Sequence, residues 1–194
     1  MGRPCAFVRL TRCNLRCRYC DTAYAFTEGR EMTIAEIVEQ LDRYPTRLVE
    51  VTGGEPLLQP DVHVLVRLLL DSGREVLIET GGSLDITPVD PRAVLVYDIK
   101  CPESGMSSHN LWANLERLRP HDEIKFVITD RADYEWAREV VRFHDLARGH
   151  PVLFSPVWQV MDATALAGWI LEDGLLVRMQ IQLHKLLWGE RRGV

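Results

Sequence analysis

An α/β fold built on a mostly parallel sheet is what this chain predicts, and three observations predict it. Strand-like and helix-like segments alternate almost throughout. The strand segments are short apolar runs that read as buried on both faces. Glycine-rich or polar motifs follow directly on several of the strands. With 194 residues, 46% of them hydrophobic and 26% charged, the chain is long enough for one compact domain over 1–194.

The elements follow in order. Cys5 to Leu10 reads as a strand that leads into a loop carrying Cys13, Cys17 and Cys20. Thr33 and Glu36 form a capping box that opens a helix to about Tyr44. Arg47 to Thr52 is a strand ending in Gly53-Gly54-Glu55-Pro56, and Asp61 to Ser72 has helical period with Gly73 as its stop. Glu75 to Thr80 is a strand ending in Gly81-Gly82, and Val94 to Ile99 is another. A helix from about Ser108 to Leu118 precedes the strand Glu123 to Thr129. Asp130 then caps a long helix to about Ala147. Pro151 to Ser155 reads as a strand, Asp162 to Leu171 as a helix and Leu176 to Leu183 as a final strand.

Composition excludes several function classes. A formal charge of −5 argues against a general nucleic-acid or membrane-surface binder. Lys185, Arg191 and Arg192 near the end read as solvated charge. The most apolar run, Val62 to Leu70, is broken by His63 and Arg67 and is too short to span a bilayer. The N-terminus lacks an apolar core and a small-residue cleavage site, so the expected location is cytoplasmic and reducing. There, five cysteines are ligands or buried thiols rather than a disulfide framework.

The cysteine loop, Gly53-Gly54-Glu55, Thr80-Gly81-Gly82 and Asp98-Ile99-Lys100 each lie at or just after the end of a predicted strand. In parallel α/β folds ligands bind at the carboxyl ends of the strands, so four motifs converge on one edge. Cys13, Cys17 and Cys20 have C-x3-C-x2-C spacing, which holds three irons of a cubane cluster and leaves the fourth open. A structural zinc site would want four ligands in paired spacings, with only Cys5 and Cys101 left among the cysteines to complete it. A non-catalytic iron–sulfur or zinc scaffold is the competing reading.

With Tyr19 as the aromatic before the last cysteine, and with Gly53-Gly54-Glu55, the loop resembles that of the radical S-adenosylmethionine (SAM) superfamily. Gly2 to Leu10, Cys20-Asp21-Thr22, Thr52 to Gln59, Asp98 to Pro102, Glu123 to Ile128 and Gln182 to Lys185 extend the resemblance to the 7-carboxy-7-deazaguanine synthase family, over nearly the whole chain. The resemblance implies an open partial (β/α) barrel of the radical SAM type. It implies 6-carboxy-5,6,7,8-tetrahydropterin as substrate and 7-carboxy-7-deazaguanine plus ammonia as products, through hydrogen abstraction at the pterin C6 and ring contraction. This step belongs to the queuosine and deazapurine pathway. A 4Fe-4S cluster, S-adenosylmethionine and Mg2+ come with it, as do a flavodoxin-like electron donor and a homodimer. A glycyl-radical activase acting on a partner protein is the alternative inside the superfamily.

By the same resemblance, Cys13, Cys17 and Cys20 are cluster ligands and Thr22 a magnesium ligand. Tyr19, Asp21, Gly53, Gly54, Glu55, Gly82, Asp98, Ile99 and Lys100 form the cofactor-binding set, with Glu55 offering an acceptor to an ammonium. Arg9, Thr80, Gln182 and His184 form the substrate set, where a guanidinium suits a carboxylate. In that family a first strand and a Ser-x-Gln-Gly-Glu-Gly-like segment precede the region where this sequence starts, at Met1-Gly2-Arg3-Pro4. The expectation is that both are absent, which leaves Cys5 to Leu10 as an exposed edge and weakens pterin binding.

Overall fold

The computed structural model describes residues 2–192; Met1, Gly193 and Val194, at the ends of the expected 1–194 domain, lie outside the described residues. Seven strands form one sheet: β1 (Ala6–Leu10), β2 (Leu48–Gly53), β3 (Glu75–Thr80), β4 (Val94–Ile99), β5 (Glu123–Ile128), β6 (Val152–Pro156) and β7 (Arg178–Met179). Every pairing is parallel, and the spatial order is the sequence order. Such an order has no reversal point, so the sheet winds in one sense, as in a (β/α) barrel, instead of doubly. It is open, because β1 pairs only with β2 and β7 only with β6.

The helices are α1 (Ile34–Leu41), α2 (Val62–Asp71), α3 (Arg131–Phe143), α4 (Leu146–Gly149), α5 (Ala163–Glu172) and α6 (Leu183–Trp188). The capping box forms as the sequence predicts: the Glu36 amide donates to Thr33 Oγ1 at 3.2 Å and the Thr33 amide to Glu36 Oε2 at 2.7 Å. Asp130 caps α3 by accepting from the Asp133 amide, and Gly73 turns with φ +79° after α2.

The strands differ from the expectation of two apolar faces. One face alternates Val49, Val51, Ile78, Leu95, Tyr97, Ile124, Phe126 and Phe154 into a single buried core. The other, concave face carries Arg9, Glu50, Thr52, Glu79, Asp98 and Lys125, which the pairing register brings side by side.

Three elements depart from the sequence reading. The region from Ser108 to Leu118 is not an α-helix but two 3₁₀ turns, Ser107–His109 and Trp112–Arg117. Tertiary hydrogen bonds take its backbone and anchor side chains: Leu111 N donates to Gly82 O, Leu111 O accepts from Tyr97 Oη, and the Asn110 side chain pairs with both backbone groups of Lys100. The long helix after Asp130 breaks at Asp145, whose φ of +50° no helix interior tolerates, and α4 starts afresh. The last strand is two residues long. Gln182 is at the N-cap of α6 and His184 inside it, because Gln182 reaches away from the sheet to Asp21.

At the amino end of the sheet, away from the motifs, fully buried Asp122 accepts from the amides of Leu95 and Arg119, each at 2.8 Å. Asp122→Ala leaves both amides without that acceptor. It should cost about 2 kcal/mol, read as a lower denaturant midpoint with an unchanged slope.

Candidate active site

The cysteine loop is fastened to the strand ends by its main chain. Gly54 N donates to Leu10 O at 3.0 Å and Glu55 N to Arg12 O at 2.7 Å. A Cβ on Gly53 would stand 2.0 Å from Leu10 O, and one on Gly54 2.0 Å from Arg12 O, so only glycines let the two segments approach this closely. Arg12 itself has φ +69°, a strained bend just before the first cysteine.

Neighbours hold the rest of the loop. Leu15 is buried, and Asn14 Nδ2 donates to Ser83 Oγ at 2.9 Å. Arg18 N donates to Ser104 O and Arg16 N to Met106 Sδ. The Arg16 guanidinium donates to Cys13 O and Leu15 O, both at 2.7 Å, and covers the Phe26 ring at 4.3 Å. Cys13, Cys17 and Cys20 are all free and half-buried, and the Leu15 amide points at Cys13 Sγ at 3.4 Å. Burial pushes the Cys13 and Cys17 thiols up, with Lys100 pulling both the other way. Thr22 Oγ1 is 3.8 Å from Cys20 Sγ.

Glu55 is fully buried, and its carboxylate accepts from Thr80 Oγ1 at 3.0 Å, Gly81 N at 2.7 Å and Leu57 N at 3.0 Å. Burial pushes this carboxyl up, and those three donors oppose the shift. Its side chain is therefore committed within the protein, and what this turn offers a ligand is main chain. Thr80 is likewise fully buried, with its hydroxyl on Glu55, so it supports the floor and does not project from it. Gly82 has φ +73°, and its carbonyl accepts from Tyr97 Oη at 2.9 Å. Ile99 faces the core.

Asp98 and Lys100 face each other, Nζ to Oδ2 at 2.7 Å, both nearly buried. Burial works against the Lys100 charge, but Asp98 first, with the ionised Cys17 sulfur and Glu79, outweighs it and holds the ammonium above its ordinary value. Asp98 Oδ1, Tyr19 Oη, Thr129 Oγ1 and Trp158 Nε1 are buried without a hydrogen-bond partner. These four come from the cysteine loop and the carboxyl ends of β4, β5 and β6. Uncommitted polar atoms at that edge suit a polar ligand beside three thiols, so the donor set fits a cluster with a cofactor.

The sequence reading did not single out Glu50, Glu79, Lys125, Thr129 or Trp158. Glu79 accepts from Lys125 Nζ at 2.5 Å and from Thr52 Oγ1 at 3.3 Å, and Glu50 faces it from β2. The signal for the first three was polar residues alternating inside runs otherwise taken as apolar. Lys185, read as solvated, is buried against Asp21 at 3.8 Å and Glu190 at 3.5 Å, because α6 lays it inward. Arg192 pairs with Glu28 at 3.1 Å. Arg9 stands exposed on the concave face of β1. His184 is half-buried in α6.

Comparison with known proteins settles the family. A family model described as the Radical SAM superfamily matches residues 7–94. The 7-carboxy-7-deazaguanine synthase of Koribacter versatilis is 46% identical over 209 residues, covering 100% of this chain and 92% of that protein. This chain belongs to the 7-carboxy-7-deazaguanine synthase family. The Chlorobaculum tepidum synthase is also 46% identical, over 100% of this chain and 90% of its own length. Among solved structures, Streptococcus suis SuiB bound to S-adenosylmethionine superposes with a TM-score of 0.67 at 15% identity. That match covers 92% of this chain and 50% of SuiB, so this family member spans about half the length of SuiB and shares its fold. No helix among the described residues is long and apolar enough to cross a membrane.

Two predictions follow from the geometry of this family member. Gly54→Ala drives a methyl into Arg12 O and Cys13 Cβ; it should cost about 1–3 kcal/mol and lower iron uptake on reconstitution, with the helical content by circular dichroism retained. The second concerns pH. Burial, with Glu79 opposite, pushes the Glu50 carboxyl from 4.5 up to about 8, while Lys125 holds Glu79 down at about 2. Between those Glu50 values the folded state keeps a proton that the unfolded chain has lost. Stability from Glu50 is therefore full below 4.5 and is lost as pH rises through about 8. Glu79 acts oppositely, losing its contribution as pH falls from 4.5 towards 2. Glu50→Gln should flatten the decline in denaturant midpoint between about pH 5 and about pH 8.

Proposed function

We propose that this protein converts 6-carboxy-5,6,7,8-tetrahydropterin to 7-carboxy-7-deazaguanine and ammonia as a radical SAM enzyme. The observation that carries the reading is the half-buried cysteine triad, pinned by Gly53-Gly54-Glu55 at the carboxyl ends of a parallel sheet, in a chain 46% identical over its whole length to a synthase of that name. Cys13, Cys17 and Cys20 hold the 4Fe-4S cluster. Bound there, the cluster and S-adenosylmethionine supply one-electron hydrogen-abstraction chemistry.

The chain's own residues bind, orient and shield. The main chain of Gly53 to Glu55 and the uncommitted atoms of Tyr19 and Asp98 receive the cofactor beside the triad. The concave wall receives the pterin. Arg9 offers a guanidinium to the 6-carboxylate. Glu79, kept ionised by Lys125, is an acceptor for the amino and N–H edge of a reduced pterin. Glu50 keeps a proton on the same wall at neutral pH. Thr22, a hard oxygen ligand beside Cys20, completes the site as the magnesium ligand. We read the electron donor as a flavodoxin-like protein, the working unit as a homodimer and the location as cytoplasmic, in keeping with five free thiols.

Anaerobic reconstitution followed by incubation with the carboxy-tetrahydropterin, S-adenosylmethionine, Mg2+ and dithionite tests the reading, with product identified by mass. The expected result is about four irons per chain and the deazaguanine product, as a three-cysteine cubane site requires. Cys17→Ala should abolish both iron retention and product. A chain that cleaves S-adenosylmethionine but leaves the pterin intact would overturn the substrate assignment.

A further inference from the structure

The sheet is open, and side chains of the last helix reach from its β7 side to the loop that follows β1. After the two-residue β7 the chain leaves the sheet, and α6 and the residues following it run to the cysteine loop. Gln182 Nε2 donates to Asp21 Oδ2 at 2.6 Å, and Lys185 Nζ lies 3.8 Å from the same oxygen. Further along, Arg192 pairs with Glu28 at 3.1 Å and covers the Tyr24 ring at 4.2 Å. These contacts join segments more than 160 positions apart in sequence.

Asp21 is well placed to transmit this hold. It separates Cys20 from Thr22, and Thr22 O accepts from Ala25 N at 2.8 Å, while Ala25 O accepts from Arg12 N at 2.8 Å. The entry and exit of the cysteine loop are therefore cross-linked through one short turn, and Asp21 is where the C-terminal segment grips it. Lys185 is the unusual member of the grip. A lysine only 9% exposed needs carboxylate partners, and within salt-bridge distance the described residues supply Asp21 and Glu190, the latter at 3.5 Å. Asp21 is the partner that lies on the cysteine loop, and Glu190 follows α6 in the C-terminal segment itself.

We infer that Gln182 and Lys185 are positioning residues, which together hold Asp21 and thereby set the stance of Cys20 and Thr22, so that α6 closes the open side of the sheet onto the cysteine loop. The inference rests on the reading of Cys20 and Thr22 as ligands, given above. It assigns them no contact with substrate or cofactor: they act through Asp21.

The test uses the full chain. Gln182→Glu sets a carboxylate against Asp21 without opening a cavity, and the double variant Gln182→Glu with Asp21→Asn exchanges amide and carboxylate across the same contact. Lys185→Met removes the ammonium, and Lys185→Arg keeps the charge. Amide exchange in the metal-free chain should rise in residues 20–26 by about tenfold to a hundredfold in Gln182→Glu, the range that one lost hydrogen bond to a charged group produces, and by a smaller factor in Lys185→Met, which loses an ion pair to Asp21. It should stay unchanged in α2. The double variant and Lys185→Arg should restore protection.

After reconstitution, the paramagnetic resonance spectrum of the reduced cluster should shift in Gln182→Glu and return in the double variant. Unchanged exchange in Gln182→Glu overturns the inference. So does a loosened loop with an unaltered cluster spectrum, since the contact would then be structural only. If Lys185→Met loosens α2 as well, it has unfolded the chain, and the Gln182→Glu pair decides. A wild-type chain that retains no iron sinks the functional reading, and the exchange measurement still decides whether the C-terminal segment holds the loop.

Discussion

The structure depends on the junction of three strand ends at Glu55. Its amide ties β2 to Arg12 beyond the end of β1, and its buried carboxylate ties β2 to Thr80 and Gly81 at the end of β3. A carboxylate out of water is costly unless its lone pairs are met, and here three donors meet them. The consequence is positional. Cys13 follows Arg12 directly, so the first thiol is fixed by the same contact that fixes the sheet edge. The glycines before Glu55 are the condition for this, since any side chain at Gly53 or Gly54 would occupy the place of the Leu10 or Arg12 carbonyl.

Much of this was legible in the sequence because local rules set it. The capping box at Thr33 and Glu36, the stop at Gly73 and the cap at Asp130 are contacts between near neighbours, and all three form. The placing of four motifs at strand ends was legible for the same reason, because glycines after the apolar runs of β2 and β3, and polar or charged residues after those of β1 and β4, mark where the strands stop. The segment around Leu111 was not, since its apolar spacing suits a helix while Gly82, Tyr97 and Lys100, distant in sequence, take its backbone and anchor its side chains. The end of the chain misled likewise. Leu176 to Leu183 has strand composition, but pairing on one side only and the pull of Asp21 on Gln182 let the strand end after Met179.

The site was legible as chemistry more than as geometry. Three cysteines on one loop specify their use through spacing, and the structure keeps them half-buried and unpaired. The spacing could not show that the Glu55 and Thr80 side chains hydrogen-bond to each other. Nor could it show which residues take their place. Along β3, Thr80 and Glu79 point to opposite faces, so the motif's edge residue went inward and its neighbour faces the concavity.

That concavity is where stability and function part. Glu50, Glu79, Asp98, Lys100 and Lys125 place five ionisable groups on a wall that apolar side chains could fill. Removing ion pairs from water often costs as much as their attraction returns, so the Glu79–Lys125 and Asp98–Lys100 pairs are poor candidates for what holds the sheet together. The buried core on the other face supplies that. Two carboxyls facing each other, one holding its proton towards neutral pH, are harder still to justify by stability. Such an arrangement makes sense on a surface that meets a ligand as polar as itself. In the proposed function that ligand is a reduced carboxypterin, whose anionic end would meet Arg9 at the rim and whose edge of N–H donors would meet Glu79 within. The same wall also argues for closure, because ion pairs this little solvated discriminate among ligands only while bulk water is kept out. An open sheet does not exclude water by itself, and side chains of the last helix reach from the β7 side of the sheet to the loop beyond β1.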